Sequence, residues 1–211
     1  MKNWIFAVQL CSGLLGVACA GANLLSDAQF SGGKGTYPDE TTSPWFTAGE
    51  KGGWATLIDS ERSFDNHGQS LKFNRWRGDI NVLQNTGHVI QAGHDYHISL
   101  WIMTDEPSDD PAHTAKPGIF VTVASAKQPD GPFHFRKQFF WEITTSKHGV
   151  WERIEGSIDA ADLEEWIGEC IQLRIVKKSL NSSHAIWVDD IQLHSLSNGE
   201  EVEVSAGLLS Y

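Results

Sequence analysis

The sequence has little cysteine, a shortage of positive charge and no long hydrophobic run beyond its first twenty residues, and each shortage excludes something. Of three cysteines, Cys11 and Cys19 fall in or beside the amino-terminal apolar stretch, which leaves Cys170 alone. A single thiol closes no intrachain disulfide, so an exported chain of this kind must be held by core packing or by a metal. Lys and Arg number 16 against 27 Asp and Glu, a formal net charge of −11. That balance argues against nucleic acid and anionic membrane surfaces as partners, and it suits neutral or cationic ligands and calcium. No segment after the first twenty residues is apolar for long enough to span a bilayer. Also missing are a Gly-x-Ser-x-Gly elbow, a His-Glu-x-x-His pair and a phosphate-cradling glycine loop.

What is present begins with a leader. Lys2, an apolar stretch from Trp4 to Val17 and the small residues Ala18-Cys19-Ala20 have the layout of a secretory signal peptide over 1–20. Removing Lys2 with it takes the charge from −11 to −12. Acylation at Cys19 is the weaker reading, because Gly16 stands where a lipoprotein signal has a bulky aliphatic residue. The expected product is a secreted, periplasmic or cell-surface protein with one domain over 21–197 and a loosely ordered tail over 198–211.

Strand signals dominate that domain. In Tyr96–Met103 the residues Tyr96, Ile98, Leu100 and Ile102 alternate onto one face. Ile119/Val121/Val123, Ile171/Leu173/Ile175 and Ile186/Val188 repeat the pattern. Shorter candidates are Trp54–Ile58, Ser70–Asn74, Ile80–Gln84, Gln138–Thr145 and Trp151–Ile158. Turns punctuate them at Gly52-Gly53, Asn66-His67-Gly68, Ala92-Gly93 and Pro129-Asp130-Gly131-Pro132. One short helix is expected over Asp159–Gly168, with Asp159 capping and Gly168 stopping it. Many short strands without long helices predict an all-β fold, an antiparallel β-sandwich or jelly roll.

The run Ala185–Leu193, AIWVDDIQL, sets Asp189 and Asp190 in apolar surroundings. Strict alternation puts Trp187, Asp189, Ile191 and Leu193 on one side, which presses the Asp189 carboxylate against a core. A bare buried carboxylate is costly, so a cation, a set of donors or a raised pKa is expected there.

Several segments, in order, resemble the carbohydrate-binding modules grouped as families 4 and 9, the CenC type. Asn23-Leu24-Leu25 with Phe30 is similar to their opening strand, and His67–Phe73 to their small-Gly-x-Ser-Leu-x-Val element. Gln91–Trp101 resembles the "aGktYtlsfw" strand, Gly149–Arg153 the "gW" strand, and Trp187–Ile191 the closing "vDDv". The resemblance implies a jelly roll that binds polysaccharide or oligosaccharide without cleaving it, often with a structural calcium. By that resemblance Asp189 is a metal ligand, completed near Gln69 and the Gly68 turn. Ser31 departs from the pattern, since the family has an acidic residue after Phe30.

Sugar recognition requires flat apolar faces and planar hydrogen-bonding groups. Most tryptophans are expected in the core, Trp151 and Trp187 among them, with Trp166 fastening the short helix. Trp76 differs, because it sits in the polar loop Asn74-Arg75-Trp76-Arg77-Gly78, where Arg75 and Arg77 are placed for sugar hydroxyls or for stacking. Trp101 faces away from its apolar neighbours, either as a binding platform or beneath a loop. Gln84, Gln172 and Arg174 read as outward polar candidates, and Trp45 and Trp54 as a rim around a Gly-rich loop. The ligand-contact set is therefore Trp76, Trp101, Arg75, Arg77, Gln84 and Arg174, with no catalytic residue. Nine histidines contain one close pair, His94-x-x-His97, whose spacing at a turn into a strand sends the side chains apart. Two other readings stay open: a cell-envelope or surface domain whose partner is protein, and a small glycan-active lyase or glycosidase on the same scaffold.

Overall fold

The computed structural model describes residues 22–30, 35–36, 44–47, 56–64, 68–74, 80–105, 118–128, 131–142, 148–177 and 185–197, without the side chains of 35–36, 47, 56–57, 118 and 140–142. The leader 1–20, Ser31, Trp54, Arg75, Trp76, Arg77 and the tail 198–211 lie outside the described residues.

Eleven strands form two antiparallel sheets among those residues. They are β1 Gly35–Thr36, β2 Trp45–Thr47, β3 Thr56–Asp59, β4 Ser70–Phe73, β5 Ile80–Val89, β6 His94–Thr104, β7 Gly118–Ala126, β8 His134–Glu142, β9 Glu152–Ile158, β10 Cys170–Lys177 and β11 Ile186–Ser197. One sheet has six strands in the order β1-β3-β4-β11-β6-β9, the other five in the order β2-β5-β10-β7-β8. The expected all-β sandwich is what forms, because each sheet has one apolar face to bury. Leu71, Ile98 and Leu100 of the first sheet share a core with Val121, Leu173 and Ile175 of the second. Full burial of each such side chain contributes roughly 1.5–3 kcal/mol.

The alternation expected for the last strand is corrected by a β-bulge. Asp190 takes a left-handed backbone (φ 43°), and the pairing with β6 shifts register between Asp189 and Gln192. Ile186 and Val188 point into the core before the bulge, and Ile191 and Leu193 point into it afterwards. Trp187 and Asp189 are consequently on the outer face of the six-stranded sheet, opposite to Ile191 and Leu193.

The segment expected as an opening strand is an irregular clamp on both sheets. Leu24 N–H donates to the Leu193 carbonyl (2.8 Å), and Ile191 N–H to that of Ala28 (3.1 Å). The short helix is a 3₁₀ helix, Ala160–Trp166, followed by Gly168 at φ 89°. Asp159 makes no side-chain cap; Asp95 Oδ1 accepts from Ala160 N–H instead, at 2.7 Å. Trp166 packs on the core under the Arg136 guanidinium (4.4 Å), as expected of a helix fastener.

Candidate functional site

Each sheet turns one face outward, and the sequence-derived site residues divide between the two faces and the core. Gln84 belongs to none of the outward set. Its Cα partner on β10 is Leu173, a core residue, and Gln84 itself is 1% exposed. Its amide holds the amino-terminal clamp, accepting from Ser26 N–H (2.7 Å) and donating to the Ser26 carbonyl (2.8 Å). Backbone groups of an irregular segment have no ladder partner, and the inward glutamine supplies one. Trp45 is likewise core, fully buried with its indole N–H on the Asp27 carbonyl (3.1 Å), and is no rim residue.

Trp101 does face outward, on the six-stranded sheet, but Phe64 lies on it. The two rings stack with centroids 3.7 Å apart at 13°, and Trp151 meets Phe64 edge-on. Trp187 is buried beside Met103 and Ala185, between the Arg62 guanidinium (4.7 Å) and the Lys72 ammonium (4.8 Å). Its indole N–H donates to Asp59 Oδ2 at 2.7 Å. This aromatic cluster is a second small core beneath the 60–64 segment, which takes the place a sugar ring would need.

Asp189 holds that segment down. Its Oδ2 accepts from Phe64 N–H (2.7 Å) and its Oδ1 from Asp190 N–H (2.8 Å), at 3% exposure. N–H donors aimed at both carboxylate oxygens suit an anion, whereas calcium requires six to eight oxygen ligands. Among the described residues no group of three or more His, Cys, Asp or Glu side chains is arranged to hold a metal. The described environment of Asp189 includes the N–H donors of the hydrogen-bonded alternative.

The outer face of the five-stranded sheet is different in kind. Arg174, at its centre, pairs with Leu83 of β5 and Thr122 of β7. Its guanidinium lies 4.9 Å from the ring centre of Phe135, which is 68% exposed. Arg174 Nε donates to Gln172 Oε1, and Gln172 Nε2 donates to Asn85 Oδ1 at 2.7 Å. On the far side Gln138 Nε2 reaches Thr122 Oγ1 at 3.1 Å. Leu83, Thr122, Gln172 and Val176 on this face are buried and Arg174 is half-buried, so its exposed described side chains include Asn85, Phe135 and Gln138. Burial holds the Arg174 pKa below the ordinary arginine value, although the group stays charged at neutral pH.

Of the sequence-derived ligand set, only Arg174 is on this face among the described residues; Trp101 lies on the opposite side of the sandwich. Phe135, Gln138 and Asn85 were not anticipated. A signal for Phe135 is present in the sequence: the turn residues Pro129–Pro132 come shortly before β8, which begins at His134 and so includes Phe135.

Comparison with known proteins locates this architecture. No family model matches the sequence, and no curated protein matches it. Among solved structures, the CBM22-1 xylan-binding domain of Paenibacillus barcinonensis Xyn10C is similar over 85% of this chain and 98% of its own, at 17% identity and TM-score 0.51. The chain shares its fold with carbohydrate-binding modules. It also shares it with the Stig cyclase Fisc of Fischerella sp. TAU, solved with an indole ligand (13% identity, 82% of this chain, 96% of that one, TM-score 0.55). In an arabinose-bound GH51 α-L-arabinofuranosidase the match covers 87% of this chain but 27% of the enzyme, at 14% identity and TM-score 0.54. Identities this low show the fold alone, and a fold of this kind hosts binding and catalysis alike.

Proposed function

We propose that this protein is a secreted, non-catalytic glycan-binding module whose ligand lies across the outer face of the five-stranded sheet. The observation that carries the reading is the exposed Phe135 ring beside Arg174, with the exposed amides of Asn85 and Gln138 on the same face and the buried Gln172 holding Arg174 in place. An exposed aromatic face takes the C–H side of a pyranose, while fixed planar amides and a guanidinium take its hydroxyls. Trp76, with Arg75 and Arg77, stands in the connection entering β5 and belongs to the same reading as a second stacking residue. The family 4/9 likeness and the xylan-binding domain that shares the fold support a polysaccharide or oligosaccharide ligand. The leader sequence supports export. No helix among the described residues is long and apolar enough to cross a membrane. Calcium at Asp189, Gln69 and Ser31 is a separate proposal of the family likeness, and the N–H donors on Asp189 speak against it.

The test is affinity electrophoresis against a panel of soluble polysaccharides, run on wild type, Phe135→Ala and Trp76→Ala. Retardation of wild type by at least one glycan, reduced in Phe135→Ala, is expected. No retardation by any of them would sink the binding reading and favour either the protein-binding domain or a small enzyme on this fold.

A further inference from the structure

Arg174 has a property that neutral sugar binding does not require. The chain carries 27 acidic residues against 16 basic ones, so an arginine without a carboxylate partner runs against the composition. Arg136 pairs with Glu169, Lys137 with Asp162, and Arg153 with Glu155. Arg174 has no such partner among the described residues, and its recorded contacts are Gln172 and Phe135. It is partly buried, so its charge is neither fully solvated nor neutralised. The described side chains that share its face, from Asn81 to Gln138, include no acid.

Its orientation is fixed as well. Nε is taken by Gln172, whose own amide is anchored on Asn85, and the guanidinium lies against Phe135. With Nε engaged, the end presented by the two Nη groups is left. That end is a planar fork, matched to the two oxygens of a carboxylate and poorly matched to a single hydroxyl. Phe135 beside it would receive the C–H face of the same sugar ring.

We infer that Arg174 is a carboxylate receptor and that the five-stranded face selects glycans containing uronic acid. The net charge of −11 does not oppose this, because exposed charges beyond about 8 Å are largely screened at physiological salt. The inference rests on the glycan-binding reading above and sharpens its ligand class.

Isothermal titration with matched ligands separates the two. The probes are xylohexaose, the same backbone bearing one glucuronic acid, trigalacturonate, and trigalacturonate with its carboxyl groups reduced. Wild type is expected to bind each acidic probe at least about tenfold more tightly than its neutral counterpart, with the difference shrinking as salt rises. Arg174→Gln should abolish the preference, and Arg174→Lys should restore only part of it, since an ammonium offers no fork. Equal affinity for acidic and neutral probes overturns the carboxylate receptor and leaves glycan binding standing. Binding of none of the four, with none in the polysaccharide panel, overturns glycan binding itself. Should Arg174→Gln fail to fold, the reduced and unreduced probes on wild type still decide the matter.

Discussion

Replacing Asp189 with alanine removes the acceptor for two backbone N–H groups, those of Phe64 at 2.7 Å and Asp190 at 2.8 Å. Hydrogen bonds to a charged group contribute roughly 1.5–3 kcal/mol each, and stranding a buried donor costs a similar amount. Relief from burying the carboxylate, which is 3% exposed, offsets part of this. A net loss of about 3 kcal/mol follows, or roughly 6–12 °C in melting temperature for a domain of this size. The loss should be local in origin, because the 60–64 segment is what the carboxylate holds. Release of that segment lifts Phe64 from Trp101, so the tryptophan emission should shift to the red before the main transition. Thermal melts followed by circular dichroism and by fluorescence read both effects. The decisive control is wild type with and without chelator, where no shift is expected. A chelator that lowers the wild-type melting temperature, and does so no longer in Asp189→Ala, would refute the clamp and restore the calcium ion.

The remaining expectations concern the core and one titrating group. Gln84→Leu removes both hydrogen bonds that tie the exposed Ser26 backbone to β5, which should cost about 1–3 kcal/mol in denaturant unfolding; a change within about 0.5 kcal/mol, the range of an ordinary surface substitution, would show that the clamp is dispensable. A Cβ at Gly156 would lie 2.7 Å from the Phe139 ring, so Gly156→Ala should destabilise by about 1–3 kcal/mol and be rescued by Phe139→Leu. Additive losses in that double mutant would contradict the contact. Burial, aided by Arg153 and His194 and opposed by Glu155, holds the His97 pKa below 6.5, and its Nδ1 is buried without a hydrogen-bond partner among the described residues. The unfolded chain therefore takes up this proton first: the contribution of His97 to stability is constant above pH 6.5 and falls as pH drops from there towards the folded value. His97→Gln should flatten that slope in pH-dependent unfolding, and an unchanged slope would assign it to other groups.

Period-two alternation exposed most of the sandwich, because a sheet with one buried face writes its geometry into sequence. It misled where backbone geometry intervened. The left-handed Asp190 inserts a bulge that reverses facing partway along β11, and nothing in AIWVDDIQL requires it. Gln84 broke the pattern for another reason. A polar side chain points inward there to satisfy a chain segment nearly sixty residues away, and polarity alone reads as outward. Trp101 was placed on the correct side, but its cover by Phe64 depends on a loop contact that no local pattern encodes. Phe135 lies outside the expected strand because β8 begins at His134, before Gln138. The register also slips between Val123 and Ala124, so that Val123 pairs with Lys137 but Ala124 with Phe135.

Which face carries the glycan can be read directly by NMR. Titration of ¹⁵N-labelled protein with the retarding glycan should move the side-chain amides of Asn85, Gln138 and Gln172 and the Nε–H of Arg174. The indole N–H of Trp187 and the amides around Asp189, on the other outer face, should stay in place. Shifts confined to the six-stranded sheet, or no shifts with any glycan, would contradict a binding site on the five-stranded face.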